Sequence, residues 1–404
     1  MEKKNSLNFV FLAFAPHGLG ISGGDRIFIE LARRWQKKCS VNIYTWEEGY
    51  KMCQRQHLEA SSNLKFSLIN MGIVCRMGFL FCYFARILRA ILLALFLRLE
   101  NNTIVYSASE FWMDSLPAAI LKVRYPHIRW VAAWFQTAPN PWVGYSEGER
   151  AQKYNLSALL YWLMQLPVKP IISKFADFIL VNNEEEKKHF LSKTNSGKTI
   201  VVLGAVDSEA INRFRRHYSK QYPKVYKKYD AVFQGRFHPQ KGVVELIDIW
   251  RIVVNRKPNA KLALIGDGPL MNKVRERIIK LNLQKNCELF GYVFDGDKKY
   301  QIFLESKLVV HPAFYDSGGM AAAEAMAFGL PCVGFDLLSY KSYYPYGMIK
   351  VKIGDLDAFA KKIIELIKNE TLREKIGREA KKMIKKNWSW DKRATEVLSY
   401  IKLG

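Results

Sequence analysis

The sequence predicts an α/β chain built from two doubly wound, Rossmann-like domains, and three observations predict it. Short apolar, β-branched runs alternate with helical patterns through both halves of the chain, the mark of parallel sheets crossed by helices. Glycine-bearing turns stand where several of these runs end, the place where open α/β sheets collect ligands. At 404 residues the chain is too long for one ordinary core, so two domains of about 200 residues follow.

Composition narrows the class. Hydrophobic content of 49% and aromatic content of 13% exclude a disordered chain. A formal net charge of +25 points to a negatively charged partner: a phosphorylated substrate, anionic lipid or nucleic acid. A solvated lysine-rich surface accounts for part of the same excess. The cysteines at 39, 53, 75, 82, 287 and 332 form no close CxxC pair and no metal-type spacing with histidine, which fits a reducing compartment. Lys3 and Lys4 ahead of the apolar run Leu7–Ala15 have the look of a secretory signal. The run leads straight into a glycine-rich loop and a helical pattern from Asp25, so it reads as the first strand.

In order, Leu7–Phe14, the loop His17–Gly24 and the helical pattern Asp25–Trp35 open the first domain, with Ile27, Phe28 and Leu31 at helical spacing. The loop is not a clean GxGxxG. Val41–Thr45 is the next strand. Met71–Leu99 is strongly apolar, carries Arg76, Arg86, Arg89 and Arg98, and has no acid before Glu100. A spanning helix would bury Arg86 and Arg89 mid-bilayer, so an interfacial helix is expected. The alternative is a domain helix whose arginines reach its edge. Thr103–Tyr106 is a strand, Asp114 and Pro117 open a helix, and Trp130–Trp134 is a buried strand with Gln136 in the loop at its end. Pro167–Asn183 reads as a helix leading into a strand, with Asp177–Asn183 ending at a polar turn, and Lys198–Leu203 is the last strand of this half.

From Ile211 to Tyr229 arginines and lysines interleave with tyrosines. Such a pattern serves nucleic-acid binding in some proteins, but a solvated interdomain connector is the expectation, and no nucleic-acid partner is expected. The second half restarts with the strand Ala231–Phe233 and the loop Gln234–Gly242, followed by a helix from Val243. Leu262–Ile265 ends at Gly266, and Cys287–Phe290 ends at Gly291-Tyr292-Val293. Asp295-Gly296-Asp297 reads as a turn. Leu356–Ile367, Thr371–Lys385 and Arg393–Ile401 are helices.

The densest stretch is His311–Asp336. A buried strand ending at Val310 meets the turn Asp316-Ser317-Gly318-Gly319, then a helix Met320–Ala327 stopped by Gly329-Leu330-Pro331. Backbone N–H groups at such a helix start favour an anion, and Asp316 and Glu324 bracket it as acceptors for hydroxyls. On local spacing alone the glycines could serve only tight packing, and Glu324 could face solvent. Gly235, Arg236, Lys241 and Gly242 place two cations between strand and helix, a pair able to neutralise a diphosphate.

These residues resemble the motifs of retaining glycosyltransferases of family 4, with the GT-B fold of two Rossmann-like domains facing across a cleft. Glu324-Ala325-Met326-Ala327 and Gly329-Leu330-Pro331 match its acidic motif, with Asp316 where a Glu is usual. The match is strongest from Gly235 to Gly334. The resemblance implies an acceptor-binding domain at 1–207, a connector at 208–229, a nucleotide-sugar-binding domain at 230–385 and a helix at 386–404 crossing back to the first domain. It implies catalytic roles for Arg236, Lys241 and Asp316. Gly23, Gly24, Gly266, Gly291, Val293, Ser317, Gly318, Gly319 and Glu324 would bind the donor, and Gln136 and Asp114 would lie on the acceptor side. Family members often carry histidine near Gln136, and a glutamine cannot act as a general base.

The implied reaction is retaining transfer of a hexose from a UDP- or GDP-sugar, without metal or cofactor, to a lipid-linked or cell-surface glycan acceptor. The expected place is the inner face of the cell membrane, reached from the cytoplasm through residues 71–99. A non-catalytic binding protein of the same fold and a nucleotide-sugar epimerase are the alternatives.

Overall fold

The computed structural model describes residues 7–17, 20–70, 78–145, 156–190, 198–221 and 226–403. They divide into two compact units: residues 1–138, 156–203 and 390–404 form the first, and 139–155 with 204–389 form the second.

Among its described residues the first unit has the strands β1 (Asn8–Leu12), β2 (Ser40–Thr45), β3 (Leu64–Leu68), β4 (Thr103–Ser107), β5 (Arg129–Trp134), β6 (Phe178–Val181) and β7 (Thr199–Val201). They pair in the order β3-β2-β1-β4-β5-β6-β7, every pair parallel. Helices α1 (Gly23–Trp35), α2 (Glu47–Arg55), α3 (Phe79–Phe96), α4 (Trp112–Arg124), α5 (Leu156–Gln165), α6 (Val168–Phe175) and α7 (Glu184–Lys188) connect them. Because both faces are covered, central strands such as β4 and β6 are buried at every position. Val10, Val105, Trp130, Trp134 and Ile179 anchor the core on the side of α3, α4 and α6.

The second unit repeats the plan with β8 (Tyr229–Gln234), β9 (Leu262–Ile265), β10 (Cys287–Gly291), β11 (Ser306–His311), β12 (Cys332–Phe335) and β13 (Met348–Val351), in the order β10-β9-β8-β11-β12-β13. Its helices are α8 (Ser208–Gln221), α9 (Val243–Arg256), α10 (Met271–Lys280), α11 (Asp297–Leu304), α12 (Met320–Ala327), α13 (Tyr340–Tyr343), α14 (Leu356–Lys368) and α15 (Glu370–Asn387). The last helix, α16 (Trp390–Leu403), belongs to the first unit, where the Trp35 indole donates to the Ala394 carbonyl at 2.9 Å.

Three expectations change here. The stretch read as an irregular connector holds α8, which is part of the second unit: Phe214 packs against Tyr300 and Phe328 at 5.5 and 6.3 Å, and Arg215 donates to the Phe328 carbonyl at 2.9 Å. That contact closes the C-terminal end of α12, and it fixes α8 by tertiary packing that periodicity does not reveal. The apolar 71–99 segment is in part a packed helix: α3 turns Arg86 inward, leaving it 4% exposed, while Arg89 stays exposed. Residues 71–77 of that segment, Arg76 included, lie outside the described residues. Reduced thiols throughout are not observed either, since Cys82 is disulfide-bonded, whereas Cys39, Cys53, Cys287 and Cys332 are free.

Candidate functional site

In the second sheet the strand order reverses between β8 and β11, the switch point at which ligands of open α/β sheets sit. The strand ends there are tied to one another. Gly235 donates to the Ile265 carbonyl at 3.0 Å, Phe237 to Asp267 at 2.8 Å, and Gly266 to Gly291 at 2.8 Å. Gly266 has φ +145° and lies so close that a Cβ would meet the Gly235 carbonyl oxygen at 1.9 Å, so only glycine fits. On this rim Arg236 is exposed, and Lys241 is drawn in by the short 3-10 turn Pro239–Lys241.

Asp316, in the loop between β11 and α12, is 8% exposed and receives five donors. Lys241 Nζ at 2.6 Å, His311 Nε2 at 2.9 Å and the Tyr340 hydroxyl at 3.0 Å reach Oδ2, and the Gly318 and Gly319 N–H groups reach Oδ1 at 3.3 Å each. A carboxylate offers about four lone-pair positions, so this one is saturated. Burial by itself would push its carboxyl up, but the Lys241 ammonium and then His311 reverse that and hold it well below the usual carboxylate range. Burial also lowers the His311 imidazole, which is therefore neutral and donates Nε2–H; its Nδ1 has no partner among the described residues. The sequence directed Asp316 at a sugar and the Ser317–Gly319 amides at a phosphate. In the structure two of those amides bond Asp316, and Asp316 holds Lys241.

Glu324 lies on the first turns of α12, partly exposed. Its Oε2 accepts from Lys299 Nζ at 2.6 Å and from the Gln234 amide at 3.0 Å. Lys299, 1% exposed, also pairs with Asp295 and lies 5.9 Å from the ring centroids of Tyr300 and Phe303. A buried lysine between two carboxylates fixes the Glu324 side chain without neutralising the rim. Gly291, at φ +65°, has open space around its α-carbon, with Val293 half-buried beyond it. The second unit thus brings together Arg236, Lys241, Gly266, Gly291, Asp316, Ser317, Gly318, Gly319 and Glu324 at one set of strand ends.

The first sheet has its own reversal between β1 and β4. Gly23 and Gly24 form the first turn of α1, capped by Ser22 and Asp25 in reciprocal bonds of 3.1 and 2.9 Å. Asp114, expected on the acceptor side, has no exposed surface. It accepts from the Phe14 N–H at 2.6 Å and the Ser109 hydroxyl at 2.5 Å, and so pins the exit of β1 to the exit of β4. Burial pushes its carboxyl up to about 8 against those two bonds. The Gln136 carbonyl accepts from Tyr161 and Gln165, while its half-buried side-chain amide makes no bond among the described residues. Nearby Glu110 is buried, bonded by the Tyr161 hydroxyl at 2.7 Å, and pushed up by burial to about 7.

Sequence reasoning missed His311, Tyr340, Lys299, Gln234 and Glu110. Of these only two carried a local signal: Lys299 follows Asp295 at helical i,i+4 spacing, and His311 opens the stretch that holds Asp316.

The family model of the glycosyl transferases group 1 matches residues 214–383. An uncharacterized glycosyltransferase of Methanocaldococcus jannaschii is 32% identical over 169 residues, 40% of each chain. The poly(glycerol-phosphate) alpha-glucosyltransferase of Bacillus subtilis is 24% identical over 246 residues, 58% of this chain and 31% of that one. The chain thus spans less than half the length of both curated relatives. The crystal structure of Anabaena HepE with UDP and glucose superposes with a TM-score of 0.70 at 14% identity, covering 98% of this chain and 99% of that one. The fold is GT-B.

Proposed function

From the group 1 glycosyl transferase domain that residues 214–383 make up, we propose that this chain transfers a hexose from a nucleoside-diphosphate sugar to a glycan acceptor, with retention of anomeric configuration. The observation that carries the reading is the set of groups at the β8/β11 reversal: two cations, a fixed carboxylate and an open glycine turn at one cluster of strand ends. Arg236 and Lys241 neutralise the diphosphate; bonding Asp316 through one N–H leaves the Lys241 ammonium donors to spare. Glu324, held by Lys299 and Gln234, accepts from the ribose hydroxyls, and the Gly291–Val293 turn receives the base. The anomeric carbon–oxygen bond to the diphosphate breaks and a bond to the acceptor oxygen forms on the same face. The acceptor proton goes to the leaving phosphate oxygen. The protein's contribution is to stabilise charge growing on that phosphate.

Asp316 serves here first to position Lys241, and it meets a sugar hydroxyl only by exchanging one of its donors. That saturation is also what favours the second reading, a binding protein of the same fold without turnover. Similarity to the B. subtilis poly(glycerol-phosphate) alpha-glucosyltransferase supports a cell-surface or lipid-linked acceptor.

The test is calorimetric titration with a panel of UDP- and GDP-sugars, on the parent and on Glu324→Ala. One donor binds saturably, and the variant binds it at least about tenfold more weakly, about 1.4 kcal/mol. Equal binding by the variant, or none by the parent, defeats the donor site. Binding without transfer or slow hydrolysis selects the second reading.

A further inference from the structure

Helix α3 has an inverted surface. Its buried face is Cys82, Arg86, Ile87, Ala90 and Ala94, whereas Phe81, Phe84, Leu88, Leu92, Leu95 and Phe96 are exposed, Phe84 by 62% and Phe96 by 79%. At about 100° per residue these six fall within one stripe roughly 120° wide, and it runs for about 22 Å along the axis. Six large apolar side chains in one continuous stripe on a charged protein mark a contact surface. The helix is not a span: among the described residues no helix is long and apolar enough to cross a membrane.

Charge selects the occupant. Helix α3 contains no acid, Arg89 stands exposed at the edge of the stripe, and the chain carries +25. A second copy would bring the same excess positive charge to the contact. An anionic bilayer brings the complement, and its acyl boundary takes the phenylalanines and leucines.

The opposite face of the same helix holds the chain leaving β1. Arg86, about 160–200° around the axis from Phe84 and Leu88, reaches the carbonyls of Phe14, Ala15 and Pro16 at 3.4 Å each and His17 Nδ1 at 3.0 Å. Its guanidinium lies 3.5 Å over the Trp46 ring. These carbonyls belong to the chain leaving β1, the switch point of the first sheet. One helix thus ties the β1 loop on one side and offers an apolar stripe on the other.

We infer that α3 seats the first unit on an anionic lipid surface through the Phe81–Phe96 stripe, with Arg89 in the headgroups and Arg86 holding the β1 loop in place. The inference rests on the proposed transfer to a cell-surface or lipid-linked acceptor and assigns the surface that would bring the chain to it.

The test is co-sedimentation of the full chain with vesicles of about seven parts phosphatidylcholine to three parts phosphatidylglycerol, and with phosphatidylcholine alone. The parent binds the anionic vesicles and salt weakens the binding. The triple variant Phe84→Glu, Leu88→Glu, Leu92→Glu, altered only at exposed positions, loses about tenfold or more while its melting temperature is kept. Arg89→Gln weakens binding to anionic vesicles alone. The inference is overturned if the triple variant binds like the parent, or if the parent binds neither vesicle. It is equally overturned if sedimentation velocity shows a parent dimer that the triple variant abolishes, since a second copy then covers the stripe. Nucleotide-sugar titration without vesicles reads the donor site separately, so loss of either result leaves the other standing.

Discussion

Asp316 and Asp114 are both buried carboxylates, and their surroundings send them in opposite directions. Asp316 is held ionised by Lys241. A folded value below the unfolded one, about 3.9, gives stability that is present above roughly pH 4 and lost as pH falls further. Asp316→Asn leaves Lys241 without its charged partner and should cost about 2–4 kcal/mol at neutral pH, with a shallower acid limb in denaturant midpoints. Asp114 is the reverse. With its carboxyl at about 8, the folded chain holds the proton more tightly than the unfolded chain. Stability is then greatest below about pH 4 and declines by on the order of 1 kcal/mol per pH unit up to about pH 8. Asp114→Asn keeps an acceptor for the Phe14 N–H and should flatten that decline, read from urea midpoints at about pH 5 and about pH 8; an unchanged slope would show that Asp114 is not the group responsible. The sequence marked both acids as ligand contacts. Type and spacing show where an acid is, but its partners decide what it does, and Lys241 stands 75 residues from Asp316.

At the scale of elements, the strands that could be read were apolar runs, both those buried on both faces such as β4 and edge strands such as β7 and β10. β1, β4, β5, β8, β9 and β11 are short apolar runs, several of them closed by glycine or polar turns. β3 (Leu64–Leu68) and β13 (Met348–Val351) escaped, because each is a short stretch in which lysine or serine interrupts the apolar residues. α8 escaped for a different reason: its aromatic and basic residues look like a solvated connector until Phe328 and Tyr300 are placed against them. The glycines that end β9 and β10 look alike in sequence and differ in structure. A methyl group on Gly266 would meet the Gly235 carbonyl oxygen at 1.9 Å, whereas Gly291 has nothing within 4 Å and only its φ of +65° to satisfy. Gly266→Ala should therefore cost about 3 kcal/mol or more and loosen the strand-end rim. Gly291→Ala should cost only about 1–2 kcal/mol, the left-handed penalty alone. Equal thermal shifts in the two variants would contradict the close packing of Gly266 on Gly235.

At the scale of the whole molecule, the alternation of strands and helices identified two Rossmann-like units, because it depends on patterns inside each segment, whereas the return of the last helix to the first unit was implied only by the family resemblance. The sequence reading put residues 139–145 in the first domain, 1–207, whereas they fall in the second unit, a placement that depends on contacts formed only in three dimensions. The return of α16 has a consequence for folding. The first unit gathers residues from both ends of the chain, with contacts such as Trp35 to Ala394 and Arg34 to Asp391, the latter at 2.8 Å, closing loops of more than 350 residues. α16 buries Trp390, Val397, Leu398 and Ile401, and burying side chains of this size contributes about 1.5–3 kcal/mol each. Against a domain stability of about 5–15 kcal/mol, that share decides whether the first unit stays folded. The second unit, at 139–155 and 204–389, includes none of α16. Removing residues 390–404 should therefore unfold the first unit and leave the second intact. Limited proteolysis with mass spectrometry would show early cuts confined to residues 7–138 and 156–203, with a resistant fragment covering the second unit that still binds the nucleotide sugar. If the truncated chain resisted cleavage in the first unit as well as the parent does, α16 would be a surface addition and not a part of that core.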